Sequence, residues 1–313
     1  MADRIRKINS TTGETHALIT TDSLASGARI NGIAVSPNGT VYAADYANHV
    51  VYKIYEQGRI LGVLVGELTT SGDTASSGMY GSDGLDARLD SPYRLCVDAS
   101  ENIWVSDRAN HKIKRLSPSG RCQTLAGTGV AGNVVDDDGL TCQFNNPTGI
   151  TVDKSGNLYV CDLGNFRIKK VYPSGKTVVL AGSTTGFANG NGNDVKFASC
   201  YGLDVDPSGI VYVADYGNNR IRRLDQAGNV VTLAGYSAGF VDGSGNAARF
   251  SGPSELVLDP SGRFMFVLDY SNTAIRRVTS NGTVTTFANW PAATANAMAM
   301  DKSGFLYYLE DNV

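Results

Sequence analysis

The chain has 313 residues, 36 of them glycine, and only 18% are charged. That balance excludes long amphipathic helices as the main element and favours short strands joined by tight turns. The net charge of −3 supplies no field to draw in nucleic acid or an anionic membrane surface.

In chain order, the first predicted strands are "RIRKI" (residues 4–8) and "THALIT" (residues 15–20), separated by the turn "NSTTGE". One unit then recurs about every 55 residues. Its copies are "INGIAVSPNGTVYAADYANHVVYKIYEQGRILGVLVG", "PYRLCVDASENIWVSDRANHKIKRLSPSGRCQTLAGT", "PTGITVDKSGNLYVCDLGNFRIKKVYPSGKTVVLAGS", "CYGLDVDPSGIVYVADYGNNRIRRLDQAGNVVTLAGY" and "PSELVLDPSGRFMFVLDYSNTAIRRVTSNGTVTTFAN". A sixth, "NAMAMDKSGFLYYLEDNV", holds only the first half of the unit. An acidic residue closes the second apolar run of each copy: Asp45, Asp107, Asp162, Asp215, Asp269 and Glu310. The fourth copy divides into "GLDV", "IVYVAD", "RIRRL" and "VVTLAG", separated by "DPSG", "YGNN" and "DQAGN". Asp at a turn start accepts backbone N–H bonds and Gly supplies positive φ, so successive strands are antiparallel hairpins.

A four-stranded meander has two faces to cover and cannot cover them alone. Packing copies radially about an axis covers both. The expected fold is therefore an all-β, six-bladed propeller of four-stranded antiparallel blades. Its last blade takes two strands from about residues 1–20 and two from 295–313, so the termini close the ring and remove free sheet edges. Residues 1–313 are expected to form this single domain.

The phrases "SGNLYVCDLGNFRIKKV", "SGIVYVADYGNNRIRRL" and "ENIWVSDRANHKIKRL", with the connections "GFANGNGNDVKFASCYG" and "GFVDGSGNAARFSGPS", resemble the NHL-repeat family of β-propellers. The resemblance covers essentially the whole chain. It implies a module that binds protein or RNA, or an extracellular sensor. Related six-bladed propellers include lactonases and a peptide-amidating lyase that hold a metal ion in the channel.

No apolar run reaches the ~18 residues of a spanning helix. The segment "MADRIRKINSTTG" lacks the apolar centre of a signal peptide, which favours an intracellular chain unless a leader has been trimmed. The odd cysteine set, Cys96, Cys122, Cys142, Cys161 and Cys200, has no CxxC pairing. Buried thiols are the expectation, with Cys122–Cys142 the one conceivable bridge. His49 and His111 occupy one repeat slot, shared with Phe166, Asn219 and Thr273. They and His16 are expected to serve the fold or face solvent rather than converge on a metal. The acidic residue and the basic strand after it are expected to form a ladder of ion pairs rather than a basic RNA surface.

Candidate site residues are those that break the repeat. Before most inner strands stands a small residue: Gly32, Gly149, Gly202 or Ala297. The second copy has Arg94 there and the fifth has Glu255. Blades two and five face each other across the axis, so these charges enter the channel from opposite sides. The preceding slot holds Asn31, Tyr93, Thr148, Tyr201, Ser254 and Asn296, expected on one rim. Arg94, Glu255, Tyr93, Tyr201, Asn31 and Asn296 are the ligand-binding candidates, following the rule that concave sites with few convergent polar groups bind. No catalytic residue is singled out. No cofactor is expected; calcium is the ion to test, at Glu255, Asn296 and Asn31 or in the acidic run 136–139. The expected role is a binding or scaffold propeller for a protein, peptide or small ligand, without nucleic acid and without membrane insertion. The alternative is a metal-dependent lactonase or lyase at the central channel. The long connection 66–91 is a second place for a partner, or a simple insertion.

Overall fold

In the computed structural model, residues 4–11, 13–20, 24–54, 60–73, 87–289 and 294–311 are described. They form six antiparallel sheets, each running from an inner strand near the axis to an outer one. The inner strands are Ile30–Val35, Pro92–Val97, Pro147–Val152, Cys200–Val205, Pro253–Leu258 and Thr294–Met300, for blades 1 to 6. Blade 6 is composite. Its two inner strands, Thr294–Met300 and Phe305–Asp311, are followed outward by Arg4–Asn9 and then Thr15–Thr20. Arg4 pairs with Glu310 and Asn9 with Phe305, so the ring closes through an unbroken antiparallel ladder.

The second strand of each blade shows why a single blade could not stand alone. Val41–Asp45, Ile103–Asp107, Leu158–Asp162 and Val211–Asp215 are buried at every position, because a neighbouring blade covers each sheet face. The core is accordingly divided between blades. Tyr42, Ala44 and Val51 of blade 1 pack with Leu95, Val105 and Leu116 of blade 2. Phe266, Leu268 and Ile275 of blade 5 pack with Ile8, Met298 and Leu306 of blade 6.

The repeated acid is buried and answered inside its own blade. Asp107 pairs with Lys114 at 2.9 Å, Asp162 with Lys169 at 2.8 Å, Asp215 with Arg222 at 2.7 Å and Asp269 with Arg276 at 2.8 Å. In blade 1 the cation's place is taken by Tyr52, whose hydroxyl lies 3.4 Å from Asp45. The Asn three residues on donates to the same carboxylate and to a carbonyl of the preceding connection, as Asn218 does to Asp215 and Gly186. The other carboxylate oxygen accepts a backbone N–H just ahead of the blade, Ala198 in that case. Each of these buried carboxylates is thus hydrogen-bonded, and those of blades 2 to 5 are also paired with a cation, as burial requires. The side chain of Glu310 lies outside the described residues, as do residues 74–86 of connection 66–91 and the His16 side chain.

The thiols follow expectation, and the connections depart from it. All five cysteines are free. Cys122 lies in the core between blades 1 and 2 and Cys142 in that between blades 2 and 3, so they pack at different interfaces and form no bridge. The connections into blades 4 and 5 also add short fifth strands, Gly190–Asn191 and Gly243–Ser244, along the outer strands of those blades.

Candidate functional site

The inner strands approach one another so closely that most have no room for a side chain. A Cβ on Gly32 would lie 2.6 Å from the Tyr93 carbonyl, and one on Gly149 would lie 2.7 Å from the Tyr201 carbonyl. A Cβ on Gly202 would lie 2.5 Å from a Glu255 carboxylate oxygen. Only where the repeat supplies Arg94 and Glu255 do long side chains enter the axis. Both are over 90% buried, and the Arg94 Nε stands 2.5 Å from Glu255 Oε2. The contact is an ion pair whose Nε–H is off the hydrogen-bond line. Burial pushes the Glu255 carboxyl up to about 7, with Arg94 pulling it back down.

This pair divides the channel. On one side lies a mouth of about 680 Å³, on the other a well of about 220 Å³. Arg94 lines both. Five tyrosines line the mouth: Tyr46, Tyr93, Tyr201, Tyr216 and Tyr270. Tyr93 and Tyr201 have ring centroids 6.2 Å apart, and Tyr216 meets Tyr201 edge-on at 5.3 Å. Asn31, Asn296, Ser254 and Arg29 add polar groups. The Tyr93 ring carries two guanidinium groups, those of Arg94 and Arg108, each 5.2 Å from its centroid. Burial raises the Tyr93 hydroxyl above its ordinary range, and the two arginines oppose that rise.

Of the candidates drawn from the sequence, Arg94, Tyr93, Tyr201, Asn31 and Asn296 line this one mouth. Glu255 lies against Arg94 and lines the well instead. Thr148 does not reach the rim. It is fully buried, and its hydroxyl donates to the Cys200 carbonyl at 3.0 Å. Sequence reasoning missed Tyr46, Tyr216 and Tyr270, and with them Arg108. All four follow the buried Asp of their blade directly, in a slot that holds Leu163 in blade 3. Aligning that slot across the copies would have shown it.

The histidines serve the backbone. His49 and His111 sit at positive φ, as Phe166, Asn219 and Thr273 do in the same slot. Their Nδ1 atoms accept from the Ser91 and Asn146 N–H groups of the next blade, at 3.1 and 3.0 Å. The turn aspartates are likewise spent locally, as Asp206 accepts from the Ser208 and Ile210 N–H groups. In the acidic run, Asp136 and Asp138 accept turn N–H groups and Asp137 pairs with Lys176 at 2.7 Å. Among the described residues no three His, Cys, Asp or Glu side chains gather as metal ligands. No helix among them is long and apolar enough to cross a membrane.

The chain is 28% identical to Suppressor of quenching 1, chloroplastic, of Arabidopsis thaliana, over 77% of this chain and 24% of that protein. It is 40% identical to NHL repeat-containing protein 2 of Bos taurus, over 30% of this chain and 14% of that one. It therefore spans a quarter or less of these relatives' length. A streptogramin B lyase structure superposes with a TM-score of 0.55 at 14% identity, covering 99% of this chain and 98% of that one, which shows a shared fold. Residues 23–225 match the family described as the Teneurin NHL domain. With its repeats, its six blades and that match, the chain belongs to the NHL-repeat family of β-propellers.

Proposed function

We propose that this propeller is a binding or scaffold module that takes a protein, peptide or small ligand at the tyrosine-lined mouth of its channel. The observation that carries the reading is the mouth itself. Its volume of about 680 Å³ falls within the range of ligand sites, and it is lined by rigid aromatic rings and a few amide and hydroxyl groups. Tyrosine and arginine are the residues on which binding energy concentrates, because each joins a large contact area to a polar end. Inner strands and tight turns fix these groups before a ligand arrives, which lowers the entropy lost on binding. The family membership supports a binding role. A metal-dependent lactonase or lyase centre would need several converging ligands, and among the described residues no three His, Cys, Asp or Glu side chains gather as such, while Glu255 is engaged by Arg94.

Ligand-observed NMR with a set of short peptides and small fragments tests this on the intact chain. Compounds that bind the native protein should weaken about tenfold or more against Tyr93→Ala and Tyr201→Ala variants. Binders indifferent to both substitutions would place recognition elsewhere.

A further inference from the structure

Blade 2 supplies Arg94 to the lining of the mouth and Arg108 beside it, and both lie over the ring of Tyr93, which lines the mouth. Arg108 also stands 6.0 Å from the Tyr46 ring centroid. One carboxylate answers this pair, that of Glu255, and it is committed to Arg94. Among the described residues Arg108 has no carboxylate partner, and neither does Arg29 on the rim. Among the described residues the local charge is therefore unbalanced toward positive. The cation-attracting faces of Tyr46 and Tyr93 are already occupied by guanidinium groups, which disfavours a cationic ligand. Across the axis, Ser254 lines the same mouth at 9% exposure, and its hydroxyl has no hydrogen-bond partner. A buried hydroxyl without a partner bears a desolvation cost that a ligand oxygen would relieve.

Resting on the reading of the mouth as the binding site, we infer that its ligand bears a carboxylate on a flat or ring-shaped body. The carboxylate is held by Arg108 and Arg94 with the Ser254 hydroxyl donating to it, and the body lies against Tyr93 and Tyr201. Guanidinium groups suit carboxylates because their planar fork matches two oxygens. The tyrosine rings accept an aromatic side chain or a sugar ring equally. The carboxylate is thus the shared chemistry of two sources, a peptide C-terminus and a sugar acid.

The test pairs each acid with its neutral counterpart on the intact chain. N-acetyl-L-tyrosine is set against N-acetyl-L-tyrosinamide, and galacturonate against galactose, by NMR titration. The acid of at least one pair should bind about tenfold or more tightly than its counterpart. The pair that shows the difference identifies the source. Arg108→Gln should abolish the preference. Ser254→Ala should weaken the acid several-fold while leaving the melting temperature unchanged or raised, because it removes an unpaired hydroxyl. A serine that only supported the fold would lower the melting temperature instead. If the neutral compounds bind as tightly and remain sensitive to Tyr93→Ala, the carboxylate inference falls and the mouth stands. If no compound binds, or binding ignores every mouth substitution, both readings fall.

Discussion

At Glu255 a carboxylate is held out of water against a single guanidinium, and its stability has a predictable pH dependence. Burial lifts its folded-state pKa from the ordinary 4.5 to about 7, so the folded state holds the proton more tightly than the unfolded chain. That contribution is complete below pH 4.5 and is lost as pH rises through 7. Its size is about 3 kcal/mol. Asp107, Asp204, Asp215 and Asp269 are also raised by burial and add slope of the same sign. The informative quantity is therefore the difference between native protein and Glu255→Gln in denaturant melts from pH 4.5 to 8. The native protein should lose stability more steeply over that window, and parallel curves would refute the assignment. At this scale the sequence was readable wherever a residue broke a slot. Arg94 and Glu255 stood out because glycine or alanine holds the other positions. Their direct contact was not readable, because it depends on how closely the inner strands approach. Tyr46, Tyr216 and Tyr270 were missed because their slot, one residue beyond the buried Asp, was not compared across the copies.

The third strands of the blades differ in one residue, and the connections differ with them. Arg222 holds Asp215 with one nitrogen and reaches the Ala188 carbonyl and Asn189 with the other. Arg276 does the same with Val241 and Asp242. These two blades carry the short fifth strands. Blades 2 and 3 have Lys114 and Lys169 in that slot, and their sheets stop at four strands. The lysines also join acid and connection, Lys114 through Asp73 and the Arg88 carbonyl and Lys169 through the Gln143 carbonyl, but the planar fork of arginine gives a second nitrogen that holds the connection while the first holds the acid. Arg222→Lys should keep the pair with Asp215, cost about 1–3 kcal/mol, and speed amide exchange over residues 188–192. Unchanged exchange there would show that the connection holds itself. The strands were legible because apolar runs separated by turn residues recur in every copy. The fifth strands were not, because "NGNG" and "DGSG" carry turn chemistry and become strands only beside an outer edge.

Closure governs the whole molecule. The strand Arg4–Asn9 lies between Phe305–Asp311 and Thr15–Thr20, so it takes part in two of the three ladders of the composite blade. Removing residues 1–20 should leave the Phe305–Asp311 edge unpaired and expose the apolar faces that Ile5 and Ile8 cover. Such an edge is a template for pairing with another chain. The truncated protein should form soluble oligomers or aggregates by light scattering and lose its cooperative melt. A monomer that melts cooperatively would contradict the closure account. This arrangement was legible in the sequence because the half-copy at one end and the two strands at the other add up to one unit. The division of the core between blades was not, because alternation along a strand shows that a face is buried but not what covers it.

The composite blade also sets an order of events during synthesis. Blades 1 to 5 are each continuous in the chain, and each can form against its predecessor as it leaves the ribosome. Arg4–Asn9 precedes these five blades in the chain and finds its inner partner only when Phe305–Asp311 has been made. At ~5–20 residues per second, that is a wait of roughly 15–60 s. Throughout it the inner edge of Arg4–Asn9 stays unpaired, although Thr15–Thr20 can pair with its outer edge early, and chaperones have a defined segment to shelter. The final step is a loop closure between distant ends, which is slow compared with forming a hairpin. On a polysome, that strand has neighbouring nascent chains as rival partners, so crowding of ribosomes on the message acts directly on the yield of closed rings.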